Sequence, residues 1–320
     1  MNQLEKINAL CSRNNLGQIK KINPLEKNSD RTLFVLTEKG RYVFSFYEPG
    51  PRFRSGSELK AQAELLEKLK NNKFPVPRIF TLESIEKSNI VIREFINGRA
   101  KNAPSKAEVS QFATLLGRFH KTILNFKTKN KLQHHWDLKT TQKHLKEVVS
   151  EFPNDPFLKK LKTELDKIKI QNDLPSGTIH EDLGHRHVLW DKNKIVGLID
   201  FERSYYAPLL YDLGQVLRGW CFHTNWTAWC NKKLTNILTH YSKIRPLTTD
   251  EKNNLYATIQ FAVLERSFSF YLKFLFDKNQ DAKKFALHSL NYLIPLLEKK
   301  KEKIQSIINP SVHEQRGNAA

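Results

Sequence analysis

Thr178-Ile179-His180-Glu181-Asp182-Leu183-Gly184-His185-Arg186-His187-Val188-Leu189-Trp190 is the stretch on which the reading of the fold turns. It runs on through Ile195-Val196-Gly197-Leu198-Ile199-Asp200-Phe201-Glu202. The apolar runs before His180, around Leu189 and at 195–199 read as three short strands. A polar loop rich in histidine joins the first two, and the third ends in an acid. This order sets two carboxylates, Asp182 and Asp200, beside one cleft.

Working outward, Leu33-Phe34-Val35-Leu36 and Tyr42-Val43-Phe44-Ser45-Phe46 are rich in β-formers. The turn Thr37-Glu38-Lys39-Gly40 joins them, which predicts a hairpin. Leu59, Ala63, Leu66 and Leu69 recur at helical spacing and predict a helix over 58–71, closed by Asn71-Asn72 and Pro75-Val76-Pro77. Strands follow at 78–82 and 89–93, and Asn97-Gly98 then breaks the chain. Beyond residue 105 the pattern is helical: 109–119, 138–150 and 157–169 before the decisive block, then 209–222, 226–241, 249–276 and 282–308 after it. The expectation is an α+β protein with an antiparallel-sheet lobe over 1–97 and a mainly helical lobe over 98–320.

Composition narrows the classes. Hydrophobic content of 39% and aromatic content of 11% suit a packed globular chain and not a disordered one. No apolar run approaches the roughly 20 residues needed to cross a bilayer, and the first residues lack the apolar core of a signal peptide. The expectation is a cytoplasmic protein with no membrane partner. Three cysteines, Cys11, Cys221 and Cys230, form neither a disulfide framework nor a zinc-type CxxC pair. The formal net charge of +20 is spread along the chain, as expected of lysine-rich solvated helix faces. It also leaves few carboxylates to line a cleft for polycations. A nucleic-acid-binding reading rests on that charge alone, because basic residues are not interleaved with aromatics on one face. His180, His185 and His187 alternate too closely for a usual zinc spacing, so the histidines read as braces of the loop.

Phosphoryl transfer asks for two acids. One orients the attacking hydroxyl and the other holds the metal that bridges the phosphates. The decisive block resembles the catalytic loop and metal motif of the aminoglycoside phosphotransferase and choline kinase superfamily, and Pro208-Leu209-Leu210-Tyr211-Asp212-Leu213 resembles its P-x-x-YDL element. Within that superfamily the chain is most similar to homoserine kinases of the phosphotransferase type. Gly40-Arg41-Tyr42-Val43-Phe44, Phe74-Pro75-Val76-Pro77 and Arg218-Gly219-Trp220-Cys221 carry this part of the likeness. The resemblance implies a protein-kinase-like two-lobed fold with ATP, or GTP, as phosphate donor, Mg2+ or Mn2+ as metal, and a small-molecule hydroxyl as acceptor. It makes Asp182 the catalytic base or nucleophile-orienting carboxylate, His180 and Asp212 braces of its loop, and Asp200 and His187 the metal ligands. Leu189 and Ile199 become apolar floor beneath the adenine. Glu94-Phe95-Ile96-Asn97 becomes the hinge, in which Glu94 and Ile96 offer backbone groups to the base.

The chain departs from the superfamily pattern at four places. His187 stands where an asparagine ligates metal, and imidazole suits softer ions than magnesium. It is therefore a weak magnesium ligand, a manganese ligand, or a hydrogen-bonding residue only. Ser45 stands in place of the nucleotide lysine, and Gln62 in place of the glutamate that pairs with it. Losing both partners together is coherent, since an unpaired buried charge is costly. The phosphate-covering loop, around 24–32, has no glycine and leaves Lys27, Ser29 and Arg31 either to grip phosphate or to sit in solvent. A catalytically inactive nucleotide-binding scaffold is the alternative that these losses keep open.

Overall fold

A computed structural model describes residues 3–26, 29–48, 54–85, 88–132 and 135–310. In chain order it contains α1 (Gln3–Arg13), β1 (Ile19–Glu26), β2 (Ser29–Thr37), β3 (Arg41–Tyr47), α2 (Gly56–Asn71), β4 (Ile79–Ile85), β5 (Ser88–Glu94) and β6 (Arg99–Ala100). There follow α3 (Lys106–Ile123), α4 (Leu138–Glu151), α5 (Pro156–Lys167), β7 (Ser176–Ile179), β8 (Val188–Asp191), β9 (Lys194–Leu198) and β10 (Tyr205–Pro208). The chain ends in α6 (Leu209–Cys221), α7 (Asn231–Ser242), α8 (Thr249–Asp277), α9 (Gln280–His288), α10 (Ile294–Lys299) and α11 (Lys301–Ile308). Two compact units result: Met1–Arg99 with Thr128–His134 and Val188–Glu202, and Ala100–Lys127 with His135–His187 and Arg203–Ala320.

The first unit is built on one antiparallel sheet of order β1-β2-β3-β5-β4. The 33–47 hairpin and the strands of 78–93 thus share a sheet, as the sequence predicts. Alternation along the strands divides its residues between two faces. Leu33, Val35, Phe44, Ile90 and Ile92 pack with Ile7, Leu10 and Cys11 of α1. Tyr47 and Val91 point to the other face and pack with Leu59 of α2. Ser55 starts α2 with a capping box, its hydroxyl accepting from the Glu58 backbone N–H while Glu58 reaches back, an arrangement typically worth ~1 kcal/mol.

Two elements here were not expected. Ile7, Leu10 and Cys11 do show helical spacing, but α1 is short and polar elsewhere. β1 is lysine-rich and carries Pro24, and it sits at the sheet edge where a missing N–H is tolerated. β1 and β2 form the two sides of the segment around 24–32 in which the phosphate-covering loop was expected. Lys27 and the Ser29 side chain lie outside the described residues.

In the second unit the capping box recurs: Ser105 with Glu108 on α3, and Thr248 with Glu251 on α8. β7 pairs antiparallel with β10 and backs directly onto the end of α3. A Cβ on Gly177 would lie 2.1 Å from the Ile123 carbonyl oxygen, so only glycine permits this approach. α6 and α8 come equally close, since a Cβ on Gly214 would meet Thr258 Cγ2 at 2.7 Å. α7 begins at Asn231, not near 226, because Trp226 takes a left-handed backbone (φ 58°). The expected 282–308 helix is broken by a π-helical turn at Ser289–Leu293 ahead of Pro295. Among the described residues no helix is long and apolar enough to cross a membrane.

Candidate active site

The loop after β7 is held by buried polar bonds. Asp212, on the first turn of α6, accepts the backbone N–H groups of His180 at 3.0 Å and Glu181 at 2.9 Å. It also accepts from His120 Nε2 at 3.2 Å, while His120 Nδ1 lies 2.7 Å from the Tyr241 hydroxyl. Arg245 donates to that hydroxyl at 2.9 Å and to Glu251 at 2.7 Å. Burial lowers the pKa of His120, so the ring is neutral. Its Nε2–H donates to Asp212 and its Nδ1 accepts from Tyr241. Burial pushes the Asp212 carboxyl up, but its bond with His120 and the backbone donors outweigh this and hold it ionised. His180 is itself fully buried and accepts the Asp182 backbone N–H at 3.2 Å through Nδ1. Asp212 and His180 are therefore placed as braces, and Trp220 adds a third by donating to the Leu183 carbonyl at 2.8 Å.

Glu181 has a left-handed backbone (φ 69°), which for a residue with a side chain costs of order 1–3 kcal/mol. That kink turns the following Asp182 side chain toward a group of arginines. Arg266 of α8 forms a direct ion pair with it, Arg186 Nη2 lies at 3.4 Å and His187 Nδ1 at 3.9 Å. Burial raises the Asp182 carboxyl pKa, yet Arg266, His187, Arg203 and Arg186 overcome it and hold the pKa well below the usual range. His187 Nδ1 bonds the Asp182 carbonyl oxygen, which can only accept, so Nδ1 carries the hydrogen. Its Nε2 then has the lone pair, which accepts from Arg186 Nε at 2.9 Å.

Behind Asp182 lies a buried charged cluster that the sequence reading missed. Glu265 pairs with Arg203 at 2.7 Å and accepts from Gln215 at 2.9 Å. Gln215 also donates to Glu181 at 3.2 Å and accepts from Arg218 at 3.0 Å. The Arg203 guanidinium lies 4.0 Å from the Trp136 ring centre. The signal was present in α8, where Glu265-Arg266 interrupts the run Phe261-Ala262-Val263-Leu264 and Phe268. A charged pair inside a buried apolar stripe must be matched from elsewhere.

In the sheet unit, Asp200 follows β9 with its own left-handed backbone (φ 66°). Nearby, Glu202 accepts from the Tyr47 hydroxyl at 2.7 Å, and its carbonyl from Arg54 at 2.6 Å. Burial and the charge of Asp200 raise the Glu202 pKa. Ser45 stands on β3 opposite Val91, two residues before Arg93 on β5. Ser45, Tyr47, Val91 and Arg93 point to one face, and Arg93 hydrogen-bonds the Ser45 hydroxyl. Burial pulls the Arg93 pKa down, but Tyr47, Glu202 and Asp200 outweigh it and raise it. Ser45 thus carries no charge of its own but has a guanidinium of the neighbouring strand bonded to it. Gln62 is buried, and neither amide atom has a hydrogen-bond partner among the described residues. Ile96 and Leu189 flank Gly197, whereas Ile199 is half-buried at the end of β9. The Glu94 side chain is committed to Lys70 and to the Arg78 N–H, both at 3.1 Å.

The phosphotransferase enzyme family matches residues 21–246. A homoserine kinase of Methylobacillus flagellatus is 27% identical over 228 residues, covering 68% of each chain. Among solved structures, choline kinase LicA from Streptococcus pneumoniae covers 93% of this chain and 100% of its own, with TM-score 0.63 and 15% identity. A thermostable mutant of aminoglycoside phosphotransferase APH(4)-Ia, in ternary complex with ADP and hygromycin B, covers 92% and 99%, with TM-score 0.62 and 13% identity. These structures share the protein-kinase-like α+β fold that the motif order implies. With well over half its length matched, the chain belongs to the phosphotransferase enzyme family and is a small-molecule phosphotransferase.

Proposed function

We propose that the chain transfers the γ-phosphoryl group of ATP, or GTP, to the hydroxyl of a small molecule. Homoserine is the first candidate, followed by amino alcohols, sugars and antibiotics. The observation that carries this reading is the braced, strongly ionised Asp182 at the end of a loop fixed by Asp212 and His180. A carboxylate held so far below the usual range is a weak base, so Asp182 orients the hydroxyl and takes its proton late, as a loose transition state allows. The acceptor oxygen bonds the γ-phosphorus, its O–H bond breaks, and the bridging P–O bond breaks to release the nucleoside diphosphate. The homoserine kinase relative and the ADP-bound neighbour support the donor and the class of acceptor. Arg93 supplies the phosphate-directed cation that Ser45 does not, and the unpartnered Gln62 amide stands ready for a polar ligand. Ile96 and Leu189 form the apolar floor for the base, with Ile199 and the backbone of Glu94 beside it.

Asp200 and His187 suit a divalent ion by donor type, a carboxylate oxygen and an imidazole lone pair at Nε2, provided the exposed Arg186 side chain moves aside. Such an ion, when bound, neutralises charge on the phosphates.

The first test is thermal stabilisation by ATP, GTP and ADP, with and without Mg2+ or Mn2+. At a hundredfold excess over Kd, nucleotide adds about 2.7 kcal/mol. No shift with any nucleotide removes the proposal, and a shift without turnover on a hydroxyl library replaces it by the inactive scaffold. With an imidazole ligand, turnover is expected to be faster with Mn2+ than with Mg2+. His187→Asn then reverses that preference. An unchanged metal preference in His187→Asn takes His187 out of the metal site. Arg93→Gln is expected to raise the nucleotide KM about 10-fold or more, as loss of a charge-assisted bond should. Arg93→Lys recovers part of the loss, and an unaltered KM in Arg93→Gln rejects this role.

A further inference from the structure

Arg218 carries a buried guanidinium that no carboxylate neutralises. It lies on α6 and is 9% exposed. Its Nε donates to Gln215 at 3.0 Å, and its guanidinium lies 5.3 Å from the Trp226 ring centre. Among the described residues its two terminal nitrogens have no hydrogen-bond partner, and no acid lies within ion-pair distance. Of the neighbouring acids, Glu265 is paired with Arg203 and Asp182 with Arg266, while burial pushes the Glu181 carboxyl well above its usual pKa. Burial and the adjacent Arg266 push the Arg218 pKa down to about 9, which leaves it charged at neutral pH. A buried cation without a partner is costly, and such a group is kept where a ligand completes it.

The surroundings fix the sign and size of that ligand. α6 passes along the back of the catalytic loop, with Trp220 bonded to Leu183 and Gln215 to Glu181. Arg218 is therefore tied through Gln215 to Glu181, the residue before Asp182, and feels the charge of Asp182. Arg186, Arg203, Arg266 and Lys273 add positive potential on the same side, and their mutual repulsion, after burial, lowers the Lys273 pKa. A cationic acceptor such as an aminoglycoside or a choline-like amine meets repulsion here. One free guanidinium fork matches the two oxygens of a carboxylate, whereas a phosphate dianion calls for a second free donor.

We infer that Arg218 anchors the acceptor by its carboxylate, so that the substrate is a small hydroxy acid whose hydroxyl is presented to Asp182. The inference rests on the phosphotransferase role of Asp182. Its test compares matched acceptors at saturating nucleotide: L-homoserine with 3-aminopropan-1-ol, L-serine with ethanolamine, glycerate with ethylene glycol, and glycerol phosphate as the dianion. In at least one pair the acid is expected to have a KM about 10- to 100-fold below its decarboxylated counterpart. Arg218→Gln closes that gap and Arg218→Lys restores part of it, with each variant's melting temperature reporting its folding. Preference for the neutral or cationic alcohols, for aminoglycosides or for the dianion overturns the inference while leaving phosphoryl transfer intact. So does an Arg218→Gln variant whose KM for the acid matches wild type. If nucleotide binding fails, the same acids are tested for thermal stabilisation of the nucleotide-free protein. Stabilisation lost in Arg218→Gln retains the anion site without the kinase reading, and no stabilisation removes both.

Discussion

Asp182→Asn is expected to lower kcat by about 10²- to 10⁴-fold, the range for loss of a positioned acid–base group, while nucleotide still raises the melting temperature. The asparagine keeps the shape of the side chain and one oxygen for the acceptor, but it cannot take the proton. It also removes the charge that pairs with Arg266, one of the closest contacts in the second unit. Single-turnover phosphoryl transfer and nucleotide-dependent melting, measured on the same preparation, separate the two effects. Retention of more than about a tenth of wild-type kcat would move the catalytic role away from Asp182. The strongly depressed pKa adds a second expectation. Asp182 stays ionised throughout the range in which the protein is folded, so no acid loss of activity near pH 4 belongs to it.

Asp212→Ala is expected to be the most damaging change for stability away from the reacting groups, at about 3–5 kcal/mol. It strands the backbone N–H groups of His180 and Glu181 and the His120 ring, all fully buried. Chemical denaturation at neutral pH measures the loss. A change under 1 kcal/mol would mean that another group holds the loop. The wild-type pH dependence follows from the same bonds. Asp212 has a folded pKa below its unfolded value of about 3.9. Its contribution is therefore present above that value and lost as pH falls through the folded pKa. His120 works earlier. Its folded pKa is also depressed, so the unfolded chain takes up a proton near 6.5 that the folded chain refuses. Stability thus starts to fall with acid from about pH 6.5, before Asp212 titrates.

The sheet was legible where alternation was clean. Residues 33–47 and 78–93 gave strands on one sheet because β-branched and aromatic residues recur with period two. The edge strand β1 was not legible, because edge positions accept the lysines and proline that read as a loop. In the site, Asp182 and Asp200 were named from the loop-and-strand order of one short block, and His180 and Asp212 through the family resemblance of that block and of the P-x-x-YDL element. Arg93, Arg218, Glu265 and Arg266 were not. Arg93, Glu265 and Arg266 meet partners 48 to 84 positions away in the sequence, and no local period reports which buried charge meets which. Gln62 and Ser45 were read as a joint loss, and the structure adds the compensation on β5 that a one-strand motif could not contain.

If Ser45 and Arg93 line the phosphate pocket as proposed, the cation there stands on β5 and not on β3, with a consequence for chemical profiling. Reactive nucleotide analogues that acylate an amine in the phosphate pocket mark ordinary kinases at the strand lysine. Here that position offers a serine hydroxyl, and the nearby cation is a guanidinium whose raised pKa leaves no neutral nucleophile. Silence from an amine-directed probe in a proteome survey therefore carries no information about nucleotide occupancy of this protein. A photoaffinity label, which needs no nucleophile, is the reagent suited to this pocket.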